Sequence, residues 1–166
     1  LFLSVFLSVS LFGQNVYIPD ANFKAYLVGT SWINTNGDNE IQVSEASAFN
    51  GEITCIDMNI SDLTGIEAFT ALTMLQCEYN QLTSLDVSHN TALQGLGCNN
   101  NQLTSLDVSQ NTALTKLWCY MNQLTCLNVA NGNNTDMALY AENNPDLTCI
   151  EVDNAASTEW SEIDSQ

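Results

Sequence analysis

The residues in this sequence whose types and spacing could do chemistry are six cysteines and a run of oxygen donors between residues 34 and 45. The run reads NTNGDNEIQVSE. On a twelve-position calcium-loop template it sets Asn34, Asn36 and Asp38 at positions 1, 3 and 5. Glu40 falls at the backbone-carbonyl position and Glu45 at the bidentate twelfth. Two departures weaken the match. Asn34 removes a charge at the first position, and Asn39 stands where glycine is usual, although asparagine tolerates the left-handed conformation better than most residues. The spacing allows a weak Ca²⁺ site, with Kd at or above about 10⁻⁴–10⁻³ M, whose role would be to fix local structure. The competing reading is an acidic, Asn- and Gly-rich loop joining two short helices. No other cofactor is called for.

Cys77, Cys98 and Cys119 recur at one spacing, 21 residues apart. A metal ladder would need histidine partners or the paired C-x-x-C spacing of zinc sites, and neither is present. A column of buried small apolar side chains fits better. Cys126 and Cys149 differ, because each sits in L-T-C followed by Leu or Ile. Equivalent residues of adjacent extended segments lie about 4.8 Å apart, inside the disulfide Cα window of about 4.4–6.8 Å. A Cys126–Cys149 bridge clamping the C-terminal end is one reading, and two free thiols the other. Cys55 has no obvious mate.

Other catalytic chemistry finds no support. His89 is the one histidine, and its counterpart a repeat later is Gln110. Asp86 and Asp107 recur one repeat apart, a pattern that suits turn hydrogen bonding better than a hydrolytic carboxylate pair. No Gly-rich phosphate loop appears, and an enzyme is not expected. Charge narrows the partners further. Lys24 and Lys116 are the only basic residues against 19 Asp plus Glu, for a formal charge of −17. Such a surface repels phosphate backbones and anionic lipid headgroups, so neither nucleic acid nor membrane insertion is expected.

The elements that position these residues are repeats. Residues 71–91 read ALTMLQCEYNQLTSLDVSHNT, 92–112 read ALQGLGCNNNQLTSLDVSQNT, and 113–133 read ALTKLWCYMNQLTCLNVANGN. Each unit holds L-x-x-L-x-C-x-x-N followed by L-x-x-L-x-V-x-x-N, the leucine-rich-repeat pattern twice over. The Leu, Cys and Val positions point inward, and one unit cannot bury that face alone, so neighbours must stack. Two asparagine ladders result, Asn80, Asn101, Asn122 and Asn90, Asn111, Asn131, placed to satisfy backbone groups that the curving chain leaves unpaired. The pattern predicts an α/β solenoid of mostly short β-strands with little helix, carrying a small helical N-terminal cap.

Residues 1–13, LFLSVFLSVSLFG, are apolar, uncharged and shorter than the roughly 20 residues of a membrane span, and they read as a signal peptide lacking its n-region. Residues 14–52 form the cap, with Asp20 as N-cap of a helix to about Val28 and a second helix over 44–49. The solenoid takes 53–154, with 53–70 as an earlier coil that turns Ile53, Ile56, Met58 and Leu63 inward and 71–133 as the regular units. Residues 155–166 are a tail.

The units with Cys at the sixth position and LDVSxNTAL resemble secreted leucine-rich-repeat proteins of marine Bacteroidetes (flavobacteria), as do VYIPDANFKAYLVG and NNPDLTCIEVD. ISDLTGIEAF is also similar to the internalin repeats of bacterial surface proteins. The resemblance implies the fold and export. It does not imply a ligand. Proteins of that kind often carry a C-terminal sorting domain, and the sequence to Gln166 shows none; a longer gene product or another export route accounts for that.

The variable positions around the first segment of each unit form a candidate ligand face: Met74 and Tyr79, then Asn99, then Lys116, Trp118 and Tyr120. Aromatics beside amides suit a protein hot spot or stacking on sugar rings. The expected function is a monomeric, secreted or cell-surface recognition module for a protein or glycan, acting in adhesion. The alternative is a structural spacer, with or without Ca²⁺ stabilisation, that has no ligand of its own.

Overall fold

The computed structural model describes residues 13–133 and 137–153. The signal-peptide reading of 1–13 and the tail at 155–166 therefore fall outside the described residues, Gly13 excepted.

The architecture is the expected leucine-rich-repeat solenoid of short strands with little helix. Each coil gives one three-residue strand to a parallel front sheet: β1 (Glu52–Thr54), β2 (Met74–Gln76), β3 (Gly95–Gly97), β5 (Lys116–Trp118) and β7 (Ala138–Tyr140), in that spatial order. The second half of the later coils builds a smaller back sheet from β4 (Ser105–Asp107), β6 (Cys126–Asn128) and β8 (Cys149–Glu151). Strand register stacks Ile53, Leu75, Leu96, Leu117 and Leu139 in one column. Period-two alternation turns these residues inward and leaves their neighbours on the outer face. The core is the sum of such columns, with Leu72, Leu93 and Leu114 and then Leu82, Leu103 and Leu124 all fully buried.

Cys55, Cys77, Cys98 and Cys119 form a further buried column. Burial raises their thiols, to about 12 for Cys55 and Cys119 and well above the ordinary value for Cys77 and Cys98. They are apolar packing groups and poor nucleophiles.

The expected frame of the first coil needs correction. Register pairs Ile53 with Leu75, not with Leu72. The I-x-C of Ile53–Cys55 is thus the counterpart of L-x-C in later units, which puts Cys55 in the ladder and turns Ile56 outward, 37% exposed. The paired apolar positions at 53 and 56 match the repeat in two frames, and burial of the cysteine decides between them. In addition, the first regular unit forms no back strand at Ser84–Asp86.

The N-terminal cap closes the front sheet's first edge. Helix α1 (Ala21–Gly29) is capped by Asp20, whose Oδ1 accepts from the Asn22 and Phe23 amides at 2.9 and 3.0 Å. Its other oxygen accepts from the Ser61 amide at 2.9 Å and the Ser61 hydroxyl at 3.0 Å, tying the helix start to the solenoid. The Tyr26 hydroxyl accepts from the Thr54 amide at 2.9 Å, occupying a donor that an edge strand would otherwise leave open. Phe23 and Leu27 are buried with Ile33 and Ile41, and helix α2 (Val43–Ala48) follows.

Candidate functional site

The front sheet presents three outward columns, one residue per coil. The first is Glu52, Met74, Gly95, Lys116 and Ala138; the second is Thr54, Gln76, Gly97, Trp118 and Tyr140. The third follows the cysteines, with Glu78, Asn99 and Tyr120 at its centre. The middle coil contributes no side chain at two of these positions, and its neighbours fill the space. A methyl group at Gly95 would collide with the Met74 thioether, and one at Gly97 with the Glu78 carboxylate. Gly95, Gly97 and Asn99 are accordingly buried and form the floor of a trough. Of the residues expected on the face, Asn99 is thus floor, only 3% exposed. Met74 leans over that floor, Lys116 and Tyr79 are exposed, and Trp118 and Tyr120 are half-buried.

Two features of the face are not marked by the repeat pattern. Trp118 stacks on Tyr140 of the next coil, with ring centroids 6.2 Å apart and planes 9° from parallel. Tyr140 lies in the degraded last coil, where the repeat no longer marks face positions. It stands 22 residues after Trp118, one more than the repeat spacing, and strand register alone sets it opposite that ring. The second feature is a column of left-handed residues one step before the front asparagines: Tyr79 (φ 55°), Asn100 (φ 56°), Met121 (φ 53°) and Asn143 (φ 56°). Asparagine adopts this conformation more readily than most residues because its short polar side chain can bond locally, whereas Tyr or Met bears roughly 1 kcal/mol of strain there. Yet Tyr79 is 56% and Met121 50% exposed, so burial does not compensate for that strain.

The asparagine ladder holds this face in register. Asn101 Nδ2 donates to the Cys77 and Cys98 carbonyls at 3.0 and 3.1 Å, and its Oδ1 accepts from the Leu82 amide at 3.0 Å. Asn80, Asn122 and Asn144 do the same in their own coils. Electrostatically the trough is acidic at one corner. Burial, with the Glu52 carboxylate nearby, raises the Glu78 carboxyl above its usual range, and its Oε2 is buried without a partner.

The remaining chemical candidates are placed as follows. In the 34–45 loop, Asn34 is buried, with Nδ2 donating to the Val28 and Asp38 carbonyls and Oδ1 accepting from the Gly37 amide. Asn36 and Asp38 bond each other and Gln42. Glu40 turns out to an ion pair with Lys24 at 2.7 Å. Glu45 Oε1 accepts from the Thr35 and Asn36 amides at 2.8 and 3.1 Å, and Oε2 from the Gln42 amide at 3.0 Å. Its carboxyl lies below the ordinary value; burial alone would raise it, and these bonds outweigh the burial. Among the described residues no three His, Cys, Asp or Glu side chains converge as metal ligands. Asp86 and Asp107 accept from the Ser88 and Ser109 amides at 2.9 and 2.8 Å, as turn residues. His89 is exposed, with Nδ1 3.2 Å from the Ser88 hydroxyl. No helix among the described residues is long and apolar enough to cross a membrane.

The fold is a leucine-rich-repeat solenoid, and the proteins it is similar to are internalins. No family model matches the chain. Over 78 residues it is 36% identical to internalin J of Listeria monocytogenes, a stretch covering 46% of this chain and 8% of that protein. The solved functional domain of the same Listeria protein, described as including a cysteine ladder, superposes with a TM-score of 0.59 at 29% identity, covering 84% of this chain and 38% of that one. A second Listeria monocytogenes internalin, InlF, superposes with a TM-score of 0.63 at 18% identity, over 87% and 47% of the two chains. The chain thus spans less than half the length of each relative. The column Cys55, Cys77, Cys98 and Cys119 is this chain's own cysteine ladder.

Proposed function

We propose that this chain is an exported recognition module that holds a protein partner on the outer face of the front sheet. Tyr79, Trp118, Tyr120, Met121 and Tyr140 would be the anchors around the glycine-floored trough. The observation that carries the reading is the left-handed column. Tyr79 and Met121 stand where asparagine is cheaper for the backbone, and both project large apolar side chains into solvent. Strain retained at an exposed position points to a use outside the fold, and exposed aromatics around a depression are what interface hot spots are made of. Likeness to internalins supports a protein partner. Export rests on the uncharged apolar run at residues 1–13 and on the flavobacterial resemblance. Adhesion is the role such a module would serve.

The test is a binding array of surface proteins and polysaccharides probed with the native chain and two variants, Tyr79→Asn/Met121→Asn and Trp118→Ala/Tyr120→Ala. A protein hit lost in both variants, each still folded, is the expected result. Polysaccharide hits lost in the same way would reassign the partner to a glycan. Hits retained by both variants would remove the site from this face. An array without hits from a folded chain would favour the spacer reading.

A further inference from the structure

Two thiols on the back sheet stand apart from the four in the core. Cys126 of β6 and Cys149 of β8 sit directly opposite each other in parallel register, and both are exposed. The Cys149 thiol opposite holds the Cys126 thiol above its ordinary value. Opposed residues on adjacent strands are about 4.8 Å apart, a separation a disulfide spans without backbone movement. The coil that carries Cys149 is also the least packed. Leu139 and Ile150 are half-buried, whereas their neighbours Leu117 and Leu127 in the preceding coil are buried. That same coil carries Tyr140 on the front sheet.

We propose that Cys126 and Cys149 form a disulfide that clamps the coil of β7 and β8 onto the coil before it, and that this clamp on the back sheet holds Tyr140 in its stack on Trp118. The oxidant is a small-molecule disulfide. The thiolate of one cysteine attacks it, forming a mixed disulfide and releasing one small thiol. The second thiolate then displaces the other half. Two protons and two electrons leave the cysteine pair and end on the two released thiols. The core cysteines share the one-coil spacing but do not compete. They are buried, and their raised thiols supply little thiolate for attack.

The test uses the full chain equilibrated in reduced and in oxidised small-thiol buffer, then alkylated in the native state and weighed. Reduced protein is expected to take up label at Cys126 and Cys149. Oxidised protein should take none there and should remain a monomer lighter by about 2 Da, the two hydrogens lost. Oxidation should raise the melting temperature by about 5–10 °C and slow amide exchange at residues 138–140. Both effects should vanish in Cys126→Ser/Cys149→Ser. Two labelled cysteines after oxidation, or a disulfide-linked dimer, would overturn the bridge. A bridge that leaves exchange at 138–140 unchanged would overturn its link to the front face.

Discussion

The two arms of each coil solve one problem with different completeness. On the front arm the ladder asparagines use both ends of the amide. Asn101 donates to two carbonyls of successive coils and accepts an amide, and the strands beside it run unbroken through five coils. On the back arm Asn90 and Asn111 donate in the same manner, Asn111 to the Val87 and Asn90 carbonyls at 2.9 and 3.0 Å, but the Oδ1 of each is buried without a partner. The back sheet begins only at β4, and its cysteines face solvent where the front ladder's are buried. The front arm is the frame of the solenoid and the back arm its closure. A binding face belongs on the arm whose backbone is fully specified.

Substitution of the ladders gives the largest effect and the most direct way to break this contrast. Asn101→Ala strands buried carbonyls and an amide together and should cost about 3 kcal/mol or more in chemical denaturation. Asn111→Ala strands carbonyls alone and should cost about half as much. Equal losses would mean that the arms are equivalent.

Next comes the cap that closes the front sheet. Asp20→Ala should cost about 1–2 kcal/mol, with added exposure of the Ser61 turn to hydrogen exchange. Burial raises the Asp20 carboxyl, but its bonds to Ser61, Phe23 and Asn22 outweigh the burial, and the net shift is downward. Its contribution is therefore present above the unfolded carboxyl pKa of about 3.9 and lost as pH falls through the lower folded value. Glu78 has the opposite sign, since its raised folded value makes protonation at low pH relieve the buried charge. Melting curves of Asp20→Ala and Glu78→Gln against pH should diverge from the native curve in opposite directions.

A smaller effect, of reversed sign, sharpens the functional half of the comparison. Tyr79→Asn and Met121→Asn should each stabilise the chain by up to about 1 kcal/mol, because asparagine relaxes the left-handed backbone. Destabilisation by either would show that these side chains serve the fold. The smallest effect is expected from calcium. The oxygens of Asn34, Asn36, Asp38 and Glu45 already accept hydrogen bonds within the loop or its flanks. At 1 mM Ca²⁺ the melting temperature should move by less than about 2 °C. A larger rise that Glu45→Gln abolishes would make the loop a calcium site.

The regular units were legible because leucine, cysteine and asparagine recur without a gap, and only inward stacking satisfies that recurrence. The cap helix was legible from Asp20 ahead of an apolar run. What failed shares one cause, the loss of redundancy at the ends. Ile53 and Ile56 fit the pattern in two frames, and Tyr140 sat in a coil too degraded to mark its face. The left-handed column was hidden for another reason. Tyr79, Asn100 and Met121 have no side-chain chemistry in common, and Asp57 takes the same left-handed backbone in the first coil with Met58, not asparagine, after it.

The ladders also have a direction. Asn80 reaches back to the Cys55 carbonyl, Asn101 to that of Cys77, Asn122 to that of Cys98 and Asn144 to that of Cys119. Asn111 likewise reaches back to the Val87 carbonyl. A coil without its successor is thus left with open carbonyls until the following coil docks and supplies its amide. Stacking of this solenoid is a zipper that closes one step behind its C-terminal end, and the last coil added is always the one still waiting for its lock.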